Sequence, residues 1–352
     1  MLEGFVISKL LILSTMAFVV AIAWTPALTH FLYKYKLGKS IRSAVTAPMF
    51  AELHKKKAGV PTLGGLLMWG TTFVIAVFFA LSAWIFPDTF LAELNFLSRS
   101  QTWLPLAALV AAGLVGMADD FMNIYKLGTH GGGIDIRHRL VMYALIAAIG
   151  AWWFYVKLGW DSLHIPLYGD LSIGWWYVPF FILVIVATSF SVNQADGLDG
   201  LAGGTLASAF AAYAIISLIQ GRYDLAALCA VIVGSLLAFL WFNIYPARFI
   251  MGDTGAMSMG VTLGVVAMLT NSALLLPIIG FVFVIESATT FIQIASKKIF
   301  KKKVFLIAPI HHHFEAKGWP EPKVVMRFWV VSWIGAGVGL IVALLDVAAL
   351  AQ

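Results

Sequence analysis

Cysteine and charge are what this chain has least of. A single cysteine, Cys229, leaves no partner for a disulfide within the chain and argues against a redox pair or a zinc-thiolate site. Only 11% of the 352 residues are charged, against about a quarter in an ordinary soluble domain, while 61% are hydrophobic and the mean hydropathy is +0.92. That balance excludes a soluble globule and points to an integral membrane protein. Also missing are the internal repeat that marks many transporters and a histidine pair at i, i+4 spacing for zinc. The basic residues form no single patch of the kind that holds nucleic acid, so no nucleic-acid partner is expected.

What is present is a succession of apolar runs of about 20 residues, the length that crosses a bilayer core. They lie near 5–31, 64–86, 103–118, 140–156, 176–192, 201–220, 226–244, 255–270, 273–295 and 325–350. The eighth and ninth share one stretch, divided at Asn271-Ser272. The first is too long for a signal peptide and lacks a small-residue cleavage pattern, so it is expected to stay in the mature protein. The predicted fold is an all-α polytopic membrane protein of about ten transmembrane helices, forming one domain over residues 1–352.

All but four of the 23 Lys and Arg residues fall in loops 32–63, 119–139, 245–254 and 296–324, with Arg327 at the edge of the last; the exceptions are Lys9, Arg99, Lys157 and Arg222. The positive-inside rule makes these loops cytoplasmic and puts both termini outside. Trp152-Trp153, Trp160 and Trp175-Trp176 gather at span ends, as an interfacial aromatic belt does.

The acids have a narrower distribution than topology requires. Asp119-Asp120 closes the third run, Asp196 and Asp199 join the fifth to the sixth, and Asp253 opens the eighth, all at the basic end. Carboxylates beside hydrocarbon need a function or a partner. Adjacent aspartates on a helix point about 100° apart, and two like charges so close favour a cation between them, with Mg²⁺ the natural choice. A solvated helix end is the plain alternative, although Asp there opposes the helix dipole. Asp199 and Asp253 could each cap the helix that follows. The glycine-rich stretch around His130, Gly128 to Gly133, is either a phosphate-binding loop or a flexible connector. His311, His312 and His313 follow a lysine-rich loop and suit contact with phosphate or proton transfer better than zinc. Glu286 stands alone in the ninth run, a buried acid with no evident partner.

These segments resemble a known family. The run from Ala308 to Lys323, containing His311-His312-His313, is similar to the last cytoplasmic loop of the phospho-N-acetylmuramoyl-pentapeptide transferases. So are the DGLDGLAGG run from Asp196, the WFNIYPARFIMGD run ending at Asp253, the Asp119-Asp120 pair and the stretch from Lys57 to Gly65. The motifs recur in family order from about residue 38 to 330. The resemblance implies an Mg²⁺-dependent phosphoglycosyl transferase of the bacterial inner membrane with its active site at the cytoplasmic face. The lipid bilayer, UDP-MurNAc-pentapeptide and undecaprenyl phosphate would be its partners, with lipid I and UMP as products; a homodimer is left open. Carried across, the resemblance gives Asp253 to the metal, with Asp119 and Asp120 beside it as further metal residues that position or deprotonate the lipid phosphate, or with Asp119 attacking directly if the transfer has two steps. Lys57, Asn193, Asp196, Gly197, Leu198, Asp199 and Asn243 would line the nucleotide pocket. The three histidines would lie over the pyrophosphate.

The chain departs from the family pattern at four places. His130 stands where lysine is usual, Phe190 where asparagine is usual, and Val60 where threonine precedes Pro61. Ile250 replaces an aromatic residue thought to stack on uracil, with Phe249 next door as a substitute. His130 and Ile250 are therefore carried as substrate-binding positions whose chemistry has changed. The competing readings are a transferase of a simpler sugar phosphate such as GlcNAc-1-phosphate, and a lipid or ion transporter. The long stretch from Gly318 to Pro322 argues against the first, and acids at one face rather than at mid-membrane argue against the second.

Overall fold

In a computed structural model of the chain, residues 2–38, 57, 59–99, 101–128 and 133–350 are described. The protein is all-α and polytopic. Its helices are α1 (Leu2–Lys34), α2 (Leu66–Ile85), α3 (Trp103–Ile124), α4 (Ile136–Trp152), α5 (Tyr177–Ala195) and α6 (Leu201–Ile219). They are followed by α7 (Tyr223–Asn243), α8 (Gly252–Leu269), α9 (Phe281–Ile299), the short α10 (Ile310–Ala316) and α11 (Glu321–Leu350). Among the described residues nine helices are long and apolar enough to cross a membrane, and a tenth span forms if a broken pair is joined.

That pair is the predicted ninth span. It is bent by 82° between Ala273–Ile279 and α9. Pro277 lies in the first turn of the short helix Leu276–Ile279, where its missing N–H costs no helical bond. Gly280 N donates to Leu276 O at 2.7 Å, closing the short helix before α9 starts in a new direction.

The helices sort by what covers them. Every residue of α8 is buried, and its nearest neighbours are α3 and α5. Its four glycines, two alanines and Ser258 let those helices approach closely, the usual device where lipid gives no hydrophobic drive to association. At the rim, α1 and α11 show Leu11, Val19, Trp333 and Ile334 outward. In α9 the usual order is inverted: Phe281, Phe291 and Ile294 face out, while Glu286, Thr289, Gln293 and Ser296 are buried. Those four polar positions, spaced three, four and three apart, form one helix face.

The ends of the bundle differ. One carries a two-stranded antiparallel hairpin, β1 (Ser162–Ile165) with β2 (Gly169–Ser172), in the register Leu163 to Leu171. The other gathers the C-terminal ends of α3, α5, α7 and α9 with the N-terminal ends of α6, α8 and α11, and it holds Asp119, Asp120, Asp196, Asp199 and Asp253.

Candidate active site

The third helix does not stop at residue 118. It continues to Ile124, so Asp119 and Asp120 lie within the helix, both 0% exposed, rather than on a solvated end. Their different directions give them different partners. Asp119 meets Arg139 of α4 through its Oδ2 atom (2.7 Å) and accepts from Ile134 N through Oδ1 (2.6 Å). Arg139 also reaches Asp253 Oδ1 at 2.9 Å, and Asn193 Nδ2 donates to the same oxygen at 2.6 Å. One guanidinium therefore joins two buried carboxylates from α3 and α8. Tyr143, one turn beyond Arg139, is buried beside this centre.

Asp120 turns to the start of α8. Its Oδ2 accepts from Thr254 N (2.9 Å) and Thr254 Oγ1 (2.8 Å), and its Oδ1 from Thr62 Oγ1 (3.2 Å). Asp196 Oδ2 accepts from Gly252 N at 3.0 Å. The first N–H groups of α8 have no partner within the helix, and two carboxylates from neighbouring elements supply them, where the helix dipole favours negative charge. Gly252 permits this approach. Its φ is +71°, and a Cβ there would strike Thr62 Oγ1 and Asp120 Oδ2. Asp253 sits inside the first turn of α8, whose N-cap position is held by Met251.

A second cluster forms around the loop 196–200. Lys57 Nζ bonds Asp199 Oδ1 at 2.8 Å and Glu321 Oε1 at 2.5 Å. Burial opposes the lysine's charge, but Glu321 and Asp199 outweigh it and raise its pKa. Asp199 Oδ2 also accepts from Ala247 N (3.0 Å), and its own N–H donates to Glu321 Oε1 (2.7 Å). Asp199 thus does not cap α6, whose N-cap is Gly200. Asn243 accepts from Gly200 N (2.9 Å) and donates to Phe249 O (2.9 Å), fixing this loop to the one before α8.

The histidines divide between two roles. His311 and His312 are buried and packed against Gly197, where a Cβ would collide with His311 Nε2 and lie 3.1 Å from His312 Nε2. Their other nitrogens are held by carboxyls, His311 Nδ1 by Glu286 Oε2 and His312 Nδ1 by Glu315 Oε2, each at 2.7 Å. Burial pushes the His311 imidazole down to about 3. His313 accepts from Leu306 N at 3.1 Å and shapes the loop.

The remaining expected positions are structural in their contacts. Leu198 packs with Leu201, Val324 and Val325. Ile250 is tied by its backbone to Pro61 and Gly64. Phe249 does not substitute for the missing aromatic: it is 0% exposed, with its ring 5.9 Å from those of both Phe239 and Phe242. Phe190 packs against Phe291 of α9. His130 and the glycines 131–132 lie outside the described residues.

Arg139, Glu286 in its pairing with His311, Glu315 and Glu321 were not picked out as site residues from sequence. Arg139 counted only as a topology signal. The 286–289–293–296 polar face was readable as a helix periodicity in an apolar run, and it staples the histidine loop to α9. Thr289 Oγ1 accepts from Ile310 N, Gln293 bonds the backbone of Val304 and Phe305, and Ser296 donates to Lys302 O.

A membrane bundle with a buried acid centre and two imidazoles at one end defines a class of membrane-embedded transferases, and the glycosyl transferase family 4 model matches residues 102–271. Relatives over nearly the full length narrow the class. A phospho-N-acetylmuramoyl-pentapeptide-transferase of Chloroflexus aggregans is 35% identical over 96% of this chain and 90% of its own. Those of Geobacillus kaustophilus (37%, over 94% and 97%) and Levilactobacillus brevis (38%, over 93% and 94%) are similar. The chain belongs to the phospho-N-acetylmuramoyl-pentapeptide-transferase family.

Proposed function

We propose that this protein transfers phospho-MurNAc-pentapeptide from UDP-MurNAc-pentapeptide to undecaprenyl phosphate, giving lipid I and UMP at the cytoplasmic face of the bacterial inner membrane. The observation that carries the reading is the acid centre: Asp119 and Asp253, both buried, meet on Arg139 at the end of the bundle where the histidine loop lies. An oxygen of the lipid phosphate attacks the β-phosphorus of the donor; the new P–O bond forms as the bridging oxygen leaves with UMP. Such a transfer needs alignment and cationic support more than covalent machinery.

Among the described residues no group of three or more His, Cys, Asp and Glu side chains is arranged to hold a metal. Mg²⁺ needs fewer, since it binds through one or two carboxylates with waters and substrate phosphates completing the shell. Asp119 and Asp253 are hard oxygen donors of that kind and fit it. Bound there, Mg²⁺ would supply charge neutralisation at the donor's phosphates. Asp120 belongs to the scaffold of this centre, holding the first turn of α8 so that Asp253 faces Asp119. Lys57, Asp199 and Asn243 shape the nucleotide end, and His311 and His312 close over Gly197.

The test is UMP release by purified protein in detergent with undecaprenyl phosphate and Mg²⁺. Turnover is expected with UDP-MurNAc-pentapeptide and not with UDP-GlcNAc. The reverse preference would assign the chain to the simpler sugar-phosphate transferases.

A further inference from the structure

Glu286 is an acid in an apolar run, with no role in the scheme above. It is 0% exposed, as is His311, the residue it touches. A buried carboxyl is costly unless it is hydrogen-bonded, and Glu286 spends one oxygen on His311 Nδ1 at 2.7 Å. On the far side of that ring, Nε2 has no hydrogen-bond partner among the described residues and is directed at Gly197. The arrangement is repeated next door. His312 gives Nδ1 to Glu315 Oε2 at 2.7 Å, and its Nε2 faces the same glycine. The two rings are 4.0 Å apart, near edge-on.

Two imidazoles, each gripped at Nδ1 by its own carboxyl, present Nε2 to one point where only a residue without a side chain fits. We propose that Glu286 and Glu315 are positioning residues that fix the rotation and tautomer of His311 and His312, so that both Nε2 atoms meet an anionic oxygen of the substrate beside Gly197. This rests on the transferase reading given above.

A shared hydrogen explains why the pairs can be buried. When a His–Glu pair holds two hydrogens, one lies between Nδ1 and the carboxyl and the other sits on Nε2. This holds whether the bridging hydrogen belongs to oxygen or nitrogen. The pair then offers an N–H donor without net charge, which a dry site tolerates better than a lone imidazolium. An incoming anionic oxygen favours that state and, at His311, would complete an Nε2 that has no partner among the described residues. Carboxyl groups behind imidazoles do similar work in metal centres, where their loss costs about 10- to 100-fold.

Glu286→Gln, close in shape, tests the idea. The expected result is a fall in kcat of roughly 10- to 100-fold with the KM for undecaprenyl phosphate unchanged and the thermal midpoint close to wild type. Wild-type kcat, or a loss of activity that only follows a lowered thermal midpoint, would overturn it. Histidine ¹⁵N spectra of the wild-type protein give a second reading that does not depend on turnover. A carboxyl-bonded Nδ1 at both His311 and His312, assigned with His311→Gln and His312→Gln, is expected. Ring nitrogens free of such bonds would contradict it. If wild type turns over neither sugar nucleotide while the spectra show both bonds, the transferase reading fails and the pairing stands.

Discussion

Single residues in this site are constrained from several sides at once. Gly197 is the sharpest case, since a methyl group there must displace His311. Gly197→Ala should leave the bundle folded and reduce turnover on the order of 10²-fold, the scale expected when reacting groups are misplaced by about 1 Å; steady-state kinetics beside a thermal melt separates the two effects. Lys57 is constrained differently, by charge. Lys57→Met leaves Asp199 and Glu321 buried without their cation, and breaking such pairs costs about 3–5 kcal/mol. Chemical or thermal unfolding in detergent should register that loss, and Lys57→Arg should recover part of it. At this scale the sequence singled out acids that the structure gathers at one end of the bundle, and it was silent about their direction. Asp119 and Asp120 are neighbours, yet one joins Arg139 and the other joins Thr254, a division that only the path of α3 beyond residue 118 decides. Asp199 looked like a helix cap and is instead the partner of Lys57.

Among elements, α9 and the histidine loop behave as one unit. Glu286, Thr289, Gln293 and Ser296 face inward and hold the loop, with apolar residues on the opposite side facing out. The histidine motif was plain in the sequence; its attachment was not, because Glu286 was read without the helix periodicity that gives it companions. Acid should release this unit. The His311 imidazole lies at about 3, down from 6.5, so the unfolded loop binds a proton that the folded loop excludes. Its contribution to stability is therefore present above pH 6.5 and lost as pH falls from there towards 3. Protection of the Ile310 and His312 amides, measured against the intrinsic exchange rate at each pH, should fall across that window, and constant protection down to pH 4 would contradict the assignment. The hairpin at the other end carries the opposite dependence. His164 lies between Asp170 and Asp346 at 2.7 and 2.6 Å, and although burial lowers its pKa, these partners raise it overall above 6.5. Its contribution is complete below pH 6.5 and disappears as pH rises through the raised value. Protection of Leu167, whose N–H donates to Asp346 Oδ1, should fall on the alkaline side relative to the intrinsic exchange rate.

For the whole molecule, apolar run length gave the number of crossings well, since hydrocarbon thickness leaves little choice. It missed the 82° break before α9, where the chain turns at Gly280 within a run that composition alone reads as continuous. Orientation rests on the uneven distribution of lysine and arginine. The one cysteine, Cys229, is 0% exposed, so single-cysteine variants report cleanly. In intact cells with a permeable outer envelope, an impermeant maleimide should label Tyr168→Cys on the hairpin and leave Lys302→Cys, beside the histidine loop, unlabelled. The opposite pattern would invert the protein in the membrane.

The proposed reacting centre is Asp119 together with Asp253. The most direct test is UMP release from UDP-MurNAc-pentapeptide by Asp253→Asn and Asp119→Asn, each in protein whose thermal midpoint matches wild type. Removing a group that supports developing charge costs about 10²–10³-fold, and a fall of at least that size is predicted for both. Turnover within a few-fold of wild type in either variant would contradict it.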